Sequence, residues 1–296
     1  MVTPHESYSE LSKELGLKVS SPVFFKREDM HPLGSHKGRS IPHMIDEKIK
    51  SGCKHFVISS SGNAALAAGL YIQKLNSSLK DSDKITLEIL IGKNIDSHKL
   101  EKLEALRSSE ILISLQERPL QALFIKTQDP NIQSLRQSND ASALIGYEKL
   151  AEELMSIPNL SAVFMGTSSG TAAEALAEFF IKNKKKIEVH IVQTSSCHPI
   201  ADAFVENYSS EEKSIAHAIV DTVALRKGIL VPLIEKTGGK GWIASNDEIK
   251  AAQDITKRTS GLSISYNSAL SVAGLMQAVY TGTTWDGAVA CMICGE

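Results

Sequence analysis

Three short stretches of this sequence combine residue types and spacing that could do chemistry. The first is residues 26–39, KREDMHPLGSHKGR. A turn signal, His31-Pro32-Leu33-Gly34, places Ser35, His36 and Lys37 at a helix entrance. The first N–H groups of that helix put a positive field beside the Lys37 amine and lower its pKa. That suits an amine that must be neutral to attack a carbonyl. A lysine at a helix start is otherwise an ordinary solvated residue, so this stretch alone decides little. The second stretch is residues 59–65, SSSGNAA, where a strand ends and an Ala-rich helix begins. Its free N–H groups and the Ser60 and Ser61 hydroxyls, with Gly62 in the turn, make an anion site such as a substrate carboxylate needs, and Asn63 adds an amide donor. A plain N-cap and tight turn has the same composition. The third is residues 166–171, GTSSGT, at another strand–helix junction. Two glycines and four hydroxyl residues there suit a phosphate. The loop lacks the lysine of a Walker loop and the GxGxxG of a dinucleotide site, so it is suited to one phosphate rather than a nucleotide.

These stretches need elements to hold them, and the hydrophobic pattern supplies β–α alternation nearly throughout. Strands are expected over residues 21–26, 54–59, 85–91, 111–115, 162–165, 187–193 and 288–293. Helices are expected over 38–51, 63–75, 97–107, 141–155, 171–183, 246–259 and 267–280. Residues 75–84 and 116–140 read as surface connections. Alternation with almost continuous apolar strands implies an α/β fold with a mainly parallel sheet covered on both faces.

The chain has 296 residues, 42% hydrophobic and 22% charged, which is enough for one or two packed subdomains of an ordinary soluble protein. A net charge of -2 gives no global electrostatic case for nucleic acid or an anionic membrane. The run Lys184 to Lys186 reads as a solvated C-terminal helix turn. Residues 1–10 carry no signal-peptide pattern, and no apolar run approaches the roughly 20 residues of a membrane helix. Four cysteines make no disulfide framework, and a cytoplasmic, reducing location is expected. Cys291 and Cys294 form a CxxC, but their odd separation on a strand points them to opposite faces, and no metal site is expected. Cys53 and Cys197 read as inert, His198 as a loop histidine after a strand end, and Trp242 as packing beside a hairpin-like loop at residues 238–241.

The order of the three stretches resembles the fold-type II pyridoxal-phosphate enzymes: threonine synthase, serine/threonine dehydratase, cysteine synthase and the tryptophan synthase β-subunit. Glu28-Asp29, Pro32, Gly34-Ser35 and Lys37 match their Schiff-base segment, Ser61-Gly62-Asn63 their SGN loop, and residues 166–171 their phosphate loop. The resemblance runs from about residue 21 to the C-terminus. It implies two open, mainly parallel twisted sheets covered by helices, with the cofactor between two domains. Residues 1–50 and 146–296 would form a larger cofactor-binding domain and residues 51–145 a smaller mobile one.

By the same resemblance, Lys37 would hold pyridoxal 5'-phosphate as a Schiff base and then move the substrate Cα proton. Asn63 would bond the cofactor's phenolic oxygen. Gly166, Thr167, Ser168, Ser169, Gly170 and Thr171 would hold the phosphate, and Cys294 would face the pyridine nitrogen as a weak neutral donor. Ser60, Ser61, Gly62 and His36 would receive a small amino-acid substrate. A homodimer is expected. The SSGN loop, with Tyr71 downstream, is most similar to that of threonine synthases, implying conversion of O-phosphohomoserine to threonine. The alternative is a serine/threonine dehydratase, for which Cys294 speaks, or a cysteine synthase-like enzyme. Departures from the pattern leave a catalytically diverged or inactive member as a further reading. They are His36, Gly38, Ser265-Tyr266 before the late helix, and the stop at Glu296.

Overall fold

The computed structural model describes residues 2–295 and forms two compact units, Met1–Met30 with Tyr147–Glu296, and His31–Gly146. The chain opens with β1 (His5–Ser7), α1 (Ser9–Glu14) and β2 (Val23–Arg27). The second unit then follows as α2 (Lys37–Lys50), β3 (His55–Ser59), α3 (Asn63–Asn76), β4 (Thr86–Gly92), α4 (Ser97–Glu104), β5 (Ile111–Gln116), α5 (Pro119–Lys126), β6 (Ile132–Ser134) and α6 (Ser142–Ile145). The first unit resumes with α7 (Glu148–Met155), β7 (Leu160–Gly166), α8 (Thr171–Lys182), β8 (Glu188–Thr194), α9 (Lys227–Thr237), β9 (Gly241–Ala244), α10 (Asn246–Ser260), α11 (Tyr266–Tyr280) and β10 (Ala288–Ile293).

The first unit's sheet has the order β1-β2-β10-β7-β8-β9. β1 runs antiparallel to β2, and the other neighbouring pairs are parallel. β10 is buried along its whole length, as a strand covered on both faces must be. Phe25, Phe164, Val192 and Val289 pack there with Leu270, Ala273 and Leu275 of α11. Because β2, β10, β7 and β8 run the same way, their C-terminal ends emerge at one edge, the edge where open α/β sheets bind ligands. Toward the other end of β8, His190 is buried and stacked on Phe164 with ring centroids 4.2 Å apart. Its Nδ1 accepts from the Trp242 indole at 3.2 Å, and its Nε2 lies 2.9 Å from Glu188, which also accepts from the Trp285 indole at 2.7 Å.

The second unit's sheet has the order β5-β4-β3-β6, parallel throughout. Ile41, Met44 and Ile45 of α2 are fully buried against Phe56, Ile58, Ile89 and Ile113 of this sheet. That packing puts residues 31–50, Lys37 included, with the second unit, whereas the expected boundary at residue 50 put them with the first.

Several elements differ from the sequence-based expectation. The helix expected over 141–155 is two helices, α6 and α7, parted at Gly146, where a Cβ would stand 2.5 Å from the Ser40 Cα. Residues 116–140 hold α5 and β6 rather than a bare connection, and β6 pairs with β3. Trp242 is buried in β9, a strand parallel to β8, not beside a hairpin. No helix among the described residues is long and apolar enough to cross a membrane.

Candidate active site

In the second unit, Lys37 is the first residue of α2, and its backbone N–H donates to the Ser35 hydroxyl at 3.2 Å. The next residue is glycine for a steric reason. A Cβ on Gly38 would stand 2.3 Å from the His31 ring. His31 in turn accepts from the Leu33 N–H through Nδ1 at 3.1 Å. The departure at Gly38 is thus explained locally: the turn folds its own imidazole over the start of α2. His36, half-buried, occupies the N-cap position of that helix. Asn63 is the first residue of α3, directly after the turn at Ser60, Ser61 and Gly62. The Ser60 hydroxyl accepts from the Gly62 N–H at 3.3 Å and holds that turn. Leu33 and Leu66 pack on the same core, and α2 packs along α3, so the lysine turn and the SSGN turn are carried by one rigid pair of helices.

In the first unit, residues 166–171 leave the C-terminal end of β7 and enter α8. Gly170 has φ 85, a left-handed conformation, and a Cβ there would stand 2.6 Å from Leu230 Cδ2. A Cβ on Gly166 would stand 2.9 Å from the Asn267 carbonyl oxygen. The hydroxyls are not equivalent. Ser168 Oγ donates to Asp221 at 3.0 Å and accepts from the Val220 and Asp221 N–H groups at 3.2 Å, which fills its one donor and two acceptor places. Ser168 can therefore serve a phosphate through its backbone and not its side chain. Ser169 and Thr171 share a hydrogen bond of 3.0 Å. Thr167 Oγ1 is buried and has no hydrogen-bond partner among the described residues. A buried hydroxyl in that state costs stability unless something fills its place. With the first N–H groups of α8, which no helix can satisfy internally, it makes a cradle that fits a phosphate.

Cys294 follows β10, between the ends of β2 and β7 in the sheet, and is buried. The backbone beside it is pinned. Ser265, the N-cap of α11, donates to the Gly295 carbonyl at 2.6 Å, and Ser268 donates to the same oxygen at 3.1 Å. The Ser265 departure thus has a structural role at the end of this strand. Cys291 Sγ instead contacts the Ser271 carbonyl at 3.7 Å, and burial pushes its thiol well above the usual range. Among the described residues no group of three or more His, Cys, Asp or Glu could hold a metal. His198 Nδ1 lies 3.0 Å from the Thr194 carbonyl, with the ring edge-on to Tyr208.

Lys26, Arg27, Glu28 and Asp29 are held in structural pairs. Lys26 is fully buried and reaches Glu153 at 2.5 Å and the Thr3 carbonyl at 2.6 Å, while the Thr3 hydroxyl donates to Glu28. Arg27 forms a two-pronged pair with Asp29 at 2.9 and 2.8 Å. Two further residues at the loop of residues 166–171 escaped sequence reasoning. Asp221 gave no signal, since it lies in an irregular segment. Gln193 did leave one: a polar residue at the end of the apolar strand β8, fully buried and bonded to the carbonyls of Thr167 and Ser168.

The family described as "Pyridoxal-phosphate dependent enzyme" matches residues 1–295. Serine dehydratase-like from Homo sapiens is 44% identical over 75 residues, a stretch covering 25% of this chain and 22% of that protein. The chain therefore aligns with well under two thirds of that relative's length. Threonine synthase from Methanosarcina acetivorans is 24% identical over 315 residues, covering 99% of this chain and 74% of that protein. Among solved structures, a pyridoxal 5'-phosphate-dependent aspartate racemase superposes with a TM-score of 0.80 at 19% identity, covering 100% of this chain and 90% of the other. At that identity the likeness shows the fold.

Proposed function

Because the chain belongs to the family of pyridoxal-phosphate dependent enzymes, whose cofactor is pyridoxal 5'-phosphate, we propose that it is a lyase or synthase acting on a small amino acid by β- or γ-elimination or replacement. The first reading is a threonine synthase-like reaction from O-phosphohomoserine to threonine. The observation that carries the cofactor assignment onto this chain's residues is the buried, unpartnered Thr167 hydroxyl in a glycine-edged loop at a helix start. When bound, the cofactor supplies an electron sink for the bonding pair left at the substrate Cα.

The residues take the following parts. Lys37 would hold the cofactor through Nζ and would move the proton at the substrate Cα. The α3 entrance, with the Ser60 and Ser61 hydroxyls and the Gly62 backbone, receives the substrate carboxylate, since the first N–H groups of that helix point there. Asn63 would donate its amide to the cofactor's phenolic oxygen, and His36 would border the substrate. Thr167, the backbone of Ser168 and Ser169, Gly170 and Thr171 would hold the phosphate. Cys294 would face the pyridine nitrogen as a weak neutral donor rather than a carboxylate.

The alignment with threonine synthase along nearly the whole chain supports the first reading. A second reading, a serine/threonine dehydratase, is supported by Cys294 and by the higher local identity to the human serine dehydratase-like protein. Purified protein loaded with cofactor and offered serine, threonine and O-phosphohomoserine separates the two. Phosphate and threonine released from O-phosphohomoserine support the first reading, and 2-oxo acid released from serine or threonine supports the second. A protein that takes up no pyridoxal phosphate, or turns over none of the three, would sink the proposal.

A further inference from the structure

Gln193 is fully buried near the end of β8, and its amide is saturated. Nε2 donates to the Thr167 carbonyl at 3.2 Å and to the Ser168 carbonyl at 3.3 Å. Oε1 accepts from the N–H groups of Ile200 at 2.8 Å and Ala201 at 2.9 Å. Two donors and two acceptor places are all used, so the orientation of the amide is fixed by its partners.

The consequence for the loop follows from peptide geometry. In a trans peptide the C=O of one residue and the N–H of the next point in opposite directions. Drawing the Thr167 and Ser168 carbonyls onto Gln193 therefore aims the Ser168 and Ser169 N–H groups away from it. Thr167 N–H is already committed to the Val192 carbonyl at 2.9 Å, so these two peptide planes are what remains to be set. The other end of the amide secures the turn at Ile200, whose Cδ1 would stand 3.2 Å from a Cβ on Gly170. One side chain thus holds both the loop and the backing against which it rests.

We propose that Gln193 is a positioning residue that locks the phosphate loop in its anion-receiving conformation and so sets this protein's preference for a phosphorylated cofactor over its dephospho form. The inference rests on the assignment of residues 166–171 as the phosphate loop. No other common side chain of that length offers two donors and an acceptor. Glutamate keeps the shape and the bonds to Ile200 and Ala201 but turns a carboxylate oxygen on two carbonyl oxygens. Methionine keeps only the shape.

The test compares wild type, Gln193→Glu and Gln193→Met, each stripped of cofactor and titrated with pyridoxal phosphate and, separately, with pyridoxal. Both probes carry the aldehyde that reacts with Lys37, so the ratio of their affinities isolates the phosphate contribution. Loss of the two neutral hydrogen bonds that set the loop is expected to lower that ratio by roughly tenfold or more, with pyridoxal affinity near the wild-type value. A lower melting temperature with an unchanged ratio overturns the proposal, as does an equal loss of affinity for both probes. Wild type showing no preference for the phosphorylated probe would overturn the loop assignment itself, a different failure, visible before any variant is made.

Discussion

Lys26 Nζ and Glu153 Oε2 lie 2.5 Å apart, both withdrawn from water. The pair ties β2 to α7, two elements more than a hundred residues apart in sequence (the separation is 127). Glu28, also fully buried, stands 4.0 Å from the same ammonium. One lysine therefore answers two carboxylates inside the first unit.

Removing that lysine withdraws a buried cation that lies beside both acids. Lys26→Met is expected to cost about 3–5 kcal/mol, the usual result of breaking a buried ion pair by removing one partner. Glu153→Gln should cost less, because Glu28 still answers Lys26. Urea denaturation of the two variants checks the order; equal losses would refute it.

Thr167→Val removes a hydroxyl that has no partner among the described residues. Stability without cofactor should be unchanged or slightly higher, because an unsatisfied buried polar group disappears. Affinity for pyridoxal phosphate should fall roughly ten- to hundredfold, the value of one hydrogen bond to a charged group. Melting curves and cofactor titration on the same sample test both halves.

Lys37→Ala should leave the fold intact, since the residue only begins α2. Borohydride treatment, expected to fix the cofactor to wild type, should leave no adduct on this variant by mass spectrometry. Turnover should drop by at least about a hundredfold through loss of the proton-transferring group. An adduct at full yield would place the reactive lysine elsewhere.

The His190 pair sets a direction for acid stability. Burial holds the His190 imidazole below its usual range, outweighing the Glu188 hydrogen bond that pulls it up. For Glu188, burial pulls upward but the bonds from His190 and Trp285 outweigh it, leaving the carboxyl below its usual range. For both groups the unfolded chain binds more protons than the folded one as pH falls. Stability present at neutral pH is therefore lost on acidification, for His190 from about pH 6.5 downward. His190→Asn, which keeps an acceptor for the Trp242 indole and cannot titrate, should flatten the part of that loss above pH 5. Denaturation followed by circular dichroism at several pH values measures it; an unchanged slope would remove His190 from the account.

Much of this was legible in the sequence because it is local. Apolar runs located the strands β3, β7, β8 and β10, and small hydroxyl residues after them marked the starts of α3 and α8. Lys37 was placed at a helix entrance by the turn before it. Elements with weak local patterns were missed. β9 is four residues long, α9 carries Pro232 inside it, and β6 is three residues whose pairing with β3 no composition announces. Within the candidate site, the commitment of the Ser168 hydroxyl to Asp221 spans 53 residues and could only be seen in space. The same is true of Gly38, whose missing side chain makes room for the His31 ring.

The chain has two tryptophans, and both indoles donate into the Glu188–His190 pair of the first unit. The second unit, His31–Gly146, contains none. Tryptophan emission is therefore an optical reporter of one unit and blind to the other, while far-ultraviolet dichroism sees the helices of both. A difference between the two melting profiles would mean that the unit carrying Lys37 and the unit carrying residues 166–171 lose their structure separately.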